Sequence, residues 1–332
     1  MTQLSSPTAP VQPAAPRAGA PRAARYGDWV RRNGVYVALV GLVLVNLVIT
    51  PHFGEWTSVR LQLLQVAPVV VVAVGMALVI GTEGIDLSVG AVMALAASII
   101  PLYIGYGTLP AILVALLAGV LTGGLAGTLV ARVGVQPIVA TLGIMVAGRG
   151  VANLIGGEIK TIDDPGMVAL GTGRLLGLPY VVLIAGLVVL AAAFVVRRTS
   201  YGRQLLAVGG NKVAAELAGL AVKRVLTTTY VIAGVLAASA GVLLAARSQA
   251  SDPTKLGLLM ELSAITAVVV GGTPLSGGQV RILGTVAGAL VMQVISATLV
   301  AHDIRDSVAQ MVQAGIVITA VFIQIGSRRA RR

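Results

Sequence analysis

Long apolar runs fill most of the chain, separated by short polar or glycine-rich breaks. Most of these runs are long enough to be a membrane crossing, since a bilayer core takes roughly 20 helical residues at about 1.5 Å each. The pattern predicts spans near residues 34–49, 62–80, 87–104, 109–131, 134–155, 176–196, 225–246, 260–272, 280–300 and 307–326. Lipid offers no hydrogen bonds to a crossing backbone, so the spans must be helices or a closed barrel. Runs without period-2 alternation select helices. The expected fold is an all-α integral membrane protein of about ten transmembrane helices, or eight if residues 260–272 and one other segment are re-entrant. The run at 260–272 is shorter than a straight crossing needs and ends in Gly271-Gly272-Thr273-Pro274, which suits a broken or re-entrant segment. Pro68, inside the second span, is expected to kink it.

One break stands out. Between Val74 and Ala91 the sequence places Glu83 and Asp86 among glycines, at or inside a membrane boundary. A carboxylate at the bilayer centre costs several kcal/mol, so these two must face water, a cavity or a partner. Asp86 before Leu-Ser-Val-Gly reads as an N-cap of the third span, with direct solute contact as the sharper alternative. Glu83 is either a solvated loop residue or a charge at a cavity mouth.

Composition agrees with the pattern. The chain is 57% hydrophobic and 11% charged, with a mean hydropathy of +0.94, which no soluble domain tolerates on its surface. A net charge of +12 raises the question of nucleic acid, and the placement of the cations answers it. With both termini cytoplasmic, the inner segments hold 17 of the 24 Lys and Arg residues, a positive-inside bias that leaves no nucleic-acid surface to explain. Residues 1–32, with Arg17, Arg22 and Arg25, are expected to be a disordered basic cytoplasmic tail; 33–327 form the membrane domain and 328–332 a basic C-terminal tail. Trp29 and Trp56 fit interfacial anchors.

Cysteine is absent, and His52 and His302 are isolated, so no metal site is expected. There is no phosphate-binding Gly-x-x-x-x-Gly-Lys-Ser/Thr loop, nucleophile elbow or His-Glu-x-x-His pair. The chain reads as a passage rather than an enzyme, with no cofactor of its own.

The longest inner loop, 197–224, contains Gly209-Gly210-Asn211-Lys212-Val213-Ala214-Ala215-Glu216-Leu217-Ala218-Gly219-Leu220. Asn211 is expected to cap a short helix, with Val213, Ala214, Leu217 and Leu220 at helical spacing and Gly219 at its end. Such a helix either docks on a cytoplasmic partner or lies on the headgroups. Arg149, inside the fifth span, either snorkels outward or has a buried polar role. Gln136-Pro137 suits a first helical turn. Asn153, Glu261, Thr266 and Gln293 are polar residues in spans, where inter-helix hydrogen bonding is the ordinary reading and pore lining the sharper one.

Four blocks converge on a family. Gly-Ile-Asp-Leu-Ser-Val-Gly-Ala at 84–91, Gln-Pro-Ile-Val-Ala-Thr-Leu-Gly at 136–143, Ala-Val-Gly-Gly-Asn at 207–211 and Val-Val-Gly-Gly-Thr-Pro-Leu-Ser-Gly-Gly at 269–278 resemble the permease subunits of bacterial ribose-type sugar ABC importers. Residues 145–152 further resemble the galactofuranose branch. The chain departs from the family at Glu83, where Gly is usual, and at Ser263, where Asp is frequent. The resemblance implies a multi-pass protein of the bacterial inner membrane that carries a monosaccharide. Its partners would be a second permease copy or paralogue, a cytoplasmic ATPase holding ATP and magnesium, and a periplasmic sugar-binding protein. It makes Gly209, Gly210, Asn211, Glu216, Leu217 and Gly219 the coupling loop. Glu83, Asp86, Ser88, Gln136, Asn153, Glu261, Thr273 and Ser276 are the candidates for the translocation path. A branched-chain amino-acid permease of related architecture, and an ion-coupled secondary transporter using Asp86 or Glu83, are the competing readings.

Overall fold

The computed structural model describes residues 22–304 together with 307, 308, 311, 312, 314, 315 and 318. Most of the last predicted span, the far N-terminal tail and residues 328–332 lie outside the described residues. The chain divides into a short unit, Met1–Gly34, and the main bundle, Val35–Arg332. The helices are α1 Arg22–Ile49, α2 Trp56–Gly81, α3 Val89–Tyr103, α4 Thr108–Thr128, α5 Pro137–Gly156, α6 Pro165–Thr172, α7 Tyr180–Arg198, α8 Ser200–Gly210, α9 Lys212–Leu217, α10 Val222–Ser248, α11 Met260–Val270 and α12 Ile282–Ala301.

Seven of the described helices are long and apolar enough to cross a membrane, and two shorter apolar ones, Asn33–Ile49 and Met260–Val270, accompany them. The expected count of ten is therefore not reached among the described residues. Helix α11 ends at Val270, as the short run before Gly271-Gly272 predicts. The helix containing the first span begins at Arg22, within the stretch expected to be tail; Ala23, Ala24 and Arg25 are strong helix formers directly after Pro21. Helix α2 is continuous through Pro68.

Helices α2, α3 and α10 form the centre of the bundle. Between 67% and 78% of their span windows is buried, against 22–28% for α4, α5 and α7. The rim helices turn Leu117, Leu121, Leu154, Leu187, Leu190 and Phe194 outward, an apolar surface that only lipid or another apolar surface can cover. Small residues set the closest approach inside. Along one face of α4, Gly119 and Gly123 meet the Gly234 and Tyr230 carbonyls of α10, where an added Cβ would lie 2.5 and 2.4 Å away. Backbones in contact at this range are the membrane alternative to a hydrophobic core.

The connections gather at two ends. At one end, the ribbon end, Lys160–Thr161 pairs antiparallel with Ala250–Ser251, and Arg174–Leu175 forms a hairpin with Leu178–Pro179. Helix α6 also lies there, started by Pro165 and capped by Asp164, whose Oδ1 accepts from Met167 N at 3.0 Å and from Thr108 Oγ1 at 2.5 Å. The Thr108 hydroxyl, then the Met167 amide, hold the Asp164 carboxyl below its ordinary range. A depressed pKa contributes stability that is present above the ordinary carboxylate range and lost as pH falls through the folded value. Amide exchange across the first turn of α6, corrected for intrinsic rates, is expected to accelerate below about pH 4. Asp164→Asn should flatten that dependence.

Candidate functional site

At the opposite end of the bundle, the break end, α2 stops at Gly81 because the chain turns back on itself. Thr82 N and Glu83 N donate to Val79 O and Ile80 O, and Gly84 N also returns to Val79 O. The turn puts Glu83 at φ +66°, the left-handed region that favours glycine. Asp86 follows, 1% exposed, and its Oδ1 accepts from Ser88 N at 2.9 Å and Ser88 Oγ at 2.6 Å. The N-cap position of α3 belongs to Ser88, not Asp86. Asp86 acts two residues earlier, closing the turn that delivers the chain to Ser88.

Two neighbours hold this turn from outside. Thr141, on the first turns of α5, donates to Pro137 O at 2.9 Å and accepts from Leu87 N at 3.1 Å. Tyr230 of α10 is fully buried, and a Cβ on Gly84 would lie 2.6 Å from its hydroxyl oxygen. Sequence reasoning missed both roles. The block containing Thr141 was visible, while a tyrosine after Thr-Thr-Thr in an apolar helix gave only a weak polar signal.

The second break follows α11. Gly272, at φ +85°, turns the chain, Thr273 N donates to Val268 O, and Arg281 N donates to Thr273 Oγ1 at 3.0 Å just before α12. The two breaks then join through their backbones, with Gly278 N donating to Gly81 O at 3.0 Å. Helix α8 closes the junction. A Cβ on Gly209 would lie 1.8 Å from Gly81 O and 2.8 Å from Gly278 N, so only glycine fits where these three segments cross.

Helix α9 takes the expected form. Asn211 Oδ1 accepts from Ala214 N at 2.9 Å, and Gly219, at φ +79°, ends the turn with Leu220 N returned to Ala215 O. Ala215 faces inward, while Val213 and Leu217 are 69% and 85% exposed. Lys212 Nζ stands 4.0 Å from Glu83 Oε2, a surface pair that links α9 to the first break. Beside it a groove of about 600 Å³ is bordered by Arg132, Glu216, Lys223 and Arg224.

Of the eight path candidates, Glu83, Asp86, Ser88, Thr273 and Ser276 thus fall on the two joined breaks. Gln136 is exposed at the start of α5, with Pro137 in the first helical position as its pattern predicts. Asn153 is exposed toward the other end of α5. Glu261 sits in the first turn of α11 with Oε2 buried against Gly90. Arg149 is half-buried and takes a polar structural role, donating to Leu256 O at 2.7 Å and to Pro253 O and Gly257 O at 3.2 Å. It pins the loop that leads into α11. Charged hydrogen bonds of this kind contribute about 1.5–3 kcal/mol. Arg149→Met is expected to lower the melting temperature and speed exchange in residues 253–257, while Arg149→Lys, a point charge without the fork, recovers only part.

A cavity of about 390 Å³ opens between α2, α11 and α12, next to Ala314 and Ile318, and none of the eight candidates lines it. Among the described residues, no group of three or more His, Asp or Glu side chains is placed to hold a metal ion.

Comparison with known proteins follows the same lines. The family profile described as "Branched-chain amino acid transport system / permease component" matches residues 60–321. The galactofuranose transporter permease protein YtfT of Escherichia coli (strain K12) is 40% identical, covering 87% of this chain and 88% of its own. The ribose import permease protein RbsC of the same strain is 35% identical over 89% of this chain and 94% of its own. The fructose import permease protein FruF of Bifidobacterium longum (strain NCC 2705) is 36% identical over 79% and 76%. No solved structure matches. The chain belongs to this permease family, and within it to the ribose-type permeases of carbohydrate ABC importers.

Proposed function

We propose that the protein is the membrane-spanning subunit of an inner-membrane importer that passes a monosaccharide, delivered by a periplasmic binding protein, into the cell. ATP and its magnesium belong to a separate cytoplasmic ATPase, and a second permease copy or paralogue completes the pore. The sugar specificities named for the relatives support the substrate class. Charge supports the orientation. Arg132, Arg197, Arg198, Arg203, Lys212, Lys223 and Arg224 cluster at the break end, against Lys160, Arg174, Arg247 and Lys255 at the ribbon end, so the break end faces the cytoplasm.

The observation that carries the coupling role is the position of α8–α9. It packs through Gly209 on both breaks and holds Val213 and Leu217 outward beside a basic groove. A helix so placed transmits force from a docked ATPase to the ends of α2 and α11 at once. ATPase closure would then shift the junction between two packed arrangements, which are the two states an alternating-access cycle needs. The test is co-purification of the cognate ATPase with the permease. Leu217→Glu, a surface change that leaves the bundle intact, should abolish co-purification and uptake together. ATPase retention by Leu217→Glu and by Val213→Glu would overturn the docking assignment.

A further inference from the structure

The cavity between α2, α11 and α12 is built differently from the breaks. Its wall is apolar, from Val66, Val69 and Met292, but Ser263 and Thr266 on α11 face Gln293 on α12 across it. Among the described residues, no Lys, Arg, Asp or Glu lines it. Both pairs Ser263/Thr266 and Gln293/Ser296 stand three residues apart, the spacing that puts side chains on one helix face.

The hydrogen bonds define what the cavity offers. Ser263 Oγ donates to Leu259 O at 3.3 Å and Thr266 Oγ1 to Leu262 O at 2.7 Å. With each hydroxyl hydrogen committed to its own helix, the oxygens present lone pairs. Gln293 Nε2 donates to Gln65 Oε1 of α2 at 2.7 Å, which fixes the amide and leaves its own carbonyl oxygen as a further acceptor. This neutral, acceptor-rich surface suits a solute whose hydrogen-bonding groups are mostly O–H donors. It offers no counter-charge to the carboxylate and ammonium of an amino acid, whose burial unpaired is costly. The volume lies within the roughly 300–1,000 Å³ of small-molecule sites.

Beyond the polar residues, at the floor of the cavity, α11 and α12 come into close backbone contact. Beyond Thr266, residues 267–269 are buried, and Gly271, Gly284 and Gly288 bring α11 and α12 together. A Cβ on Gly288 would lie 2.2 Å from Ala267 O, and one on Gly284 2.1 Å from Gly271 O. The chain leaving this floor is the 271–281 break, which is bonded to Gly81 and packed on Gly209.

From these observations we infer that the Ser263–Thr266–Gln293 cavity is this chain's transit chamber for a neutral polyhydroxy solute, and that its floor is the seam that the coupling junction moves. The inference rests on the importer reading and deepens it by naming the surface the solute crosses.

The absence of cysteine makes the test direct, because single Thr266→Cys and Gln293→Cys variants have no background thiol. Both are assembled with the ATPase and binding protein and treated with a water-soluble, positively charged methanethiosulfonate, with Leu187→Cys on the outer face of α7 as the bilayer control. Uptake of radiolabelled D-ribose and D-galactose is read, using whichever the unmodified assembly takes up. Both chamber cysteines should react faster than Leu187→Cys, modification should cut uptake more than about tenfold, and ATPase association should persist. Chamber cysteines as inert as Leu187→Cys would make the cavity a lipid-filled crevice and overturn the inference. So would modification that leaves uptake intact. Uptake by the unmodified assembly that needs no ATPase would instead defeat the importer reading.

Discussion

Gly209→Ala is expected to abolish ATP-driven uptake, while Gly210→Ala leaves it near wild type. The two positions are adjacent in sequence and differ only in surroundings. The added methyl at 209 would lie 1.8 Å from the Gly81 carbonyl and 2.8 Å from the Gly278 amide, and neither backbone atom can swing aside as a side chain would. At 210 nothing lies within 4 Å. Overpacking of a tight contact costs about 1–3 kcal/mol or more, and here it falls on the junction where both breaks meet α8. Uptake in reconstituted vesicles and melting temperature in detergent check the pair. Equal behaviour of the two variants would mean that the junction is looser than described.

Asp86 gives the second large effect and separates two mechanisms. Asp86→Ala removes the acceptor for Ser88 N and Ser88 Oγ at a position 1% exposed, leaving buried donors unsatisfied. Each such loss costs about 1–3 kcal/mol, enough to cut uptake by about tenfold or more. Asp86→Asn keeps an oxygen in the same place and should retain most of the activity. A transporter that used this carboxylate as a proton or sodium site would lose transport with either substitution. Uptake by the Asn variant therefore decides between a structural turn and an ion site.

The spans and helix α9 were legible because each depends on local pattern. Apolar run length marks a crossing, Asn211 and Gly219 mark the ends of α9, and the short run before Gly271-Gly272 marks the truncated α11. What stayed hidden is long-range. Glu83–Ser88 and Thr273–Ser276 each read as a break, but nothing in either stretch says that Gly278 N reaches Gly81 O or that Gly209 wedges between them. The cavity was hidden for another reason. Thr266 and Gln293 stood out as polar residues in spans, yet Ser, Thr and Gln serve inter-helix bonding far more often than solute contact, and only the meeting of α2, α11 and α12 singles them out. Glu83 shows the reverse case. Its departure from the usual Gly looked like an added charge near the path, whereas its left-handed backbone explains why Gly suits the position and its nearest cation is Lys212 of α9.

The most direct test of the account is sugar uptake into proteoliposomes holding the permease, its ATPase and its binding protein, with ATP enclosed on the ATPase side and ionophores present to collapse every ion gradient. Uptake that persists under ionophores, stops without ATP and fails in Gly209→Ala is the predicted result. Uptake that proceeds without ATP and disappears with the ion gradient would contradict it.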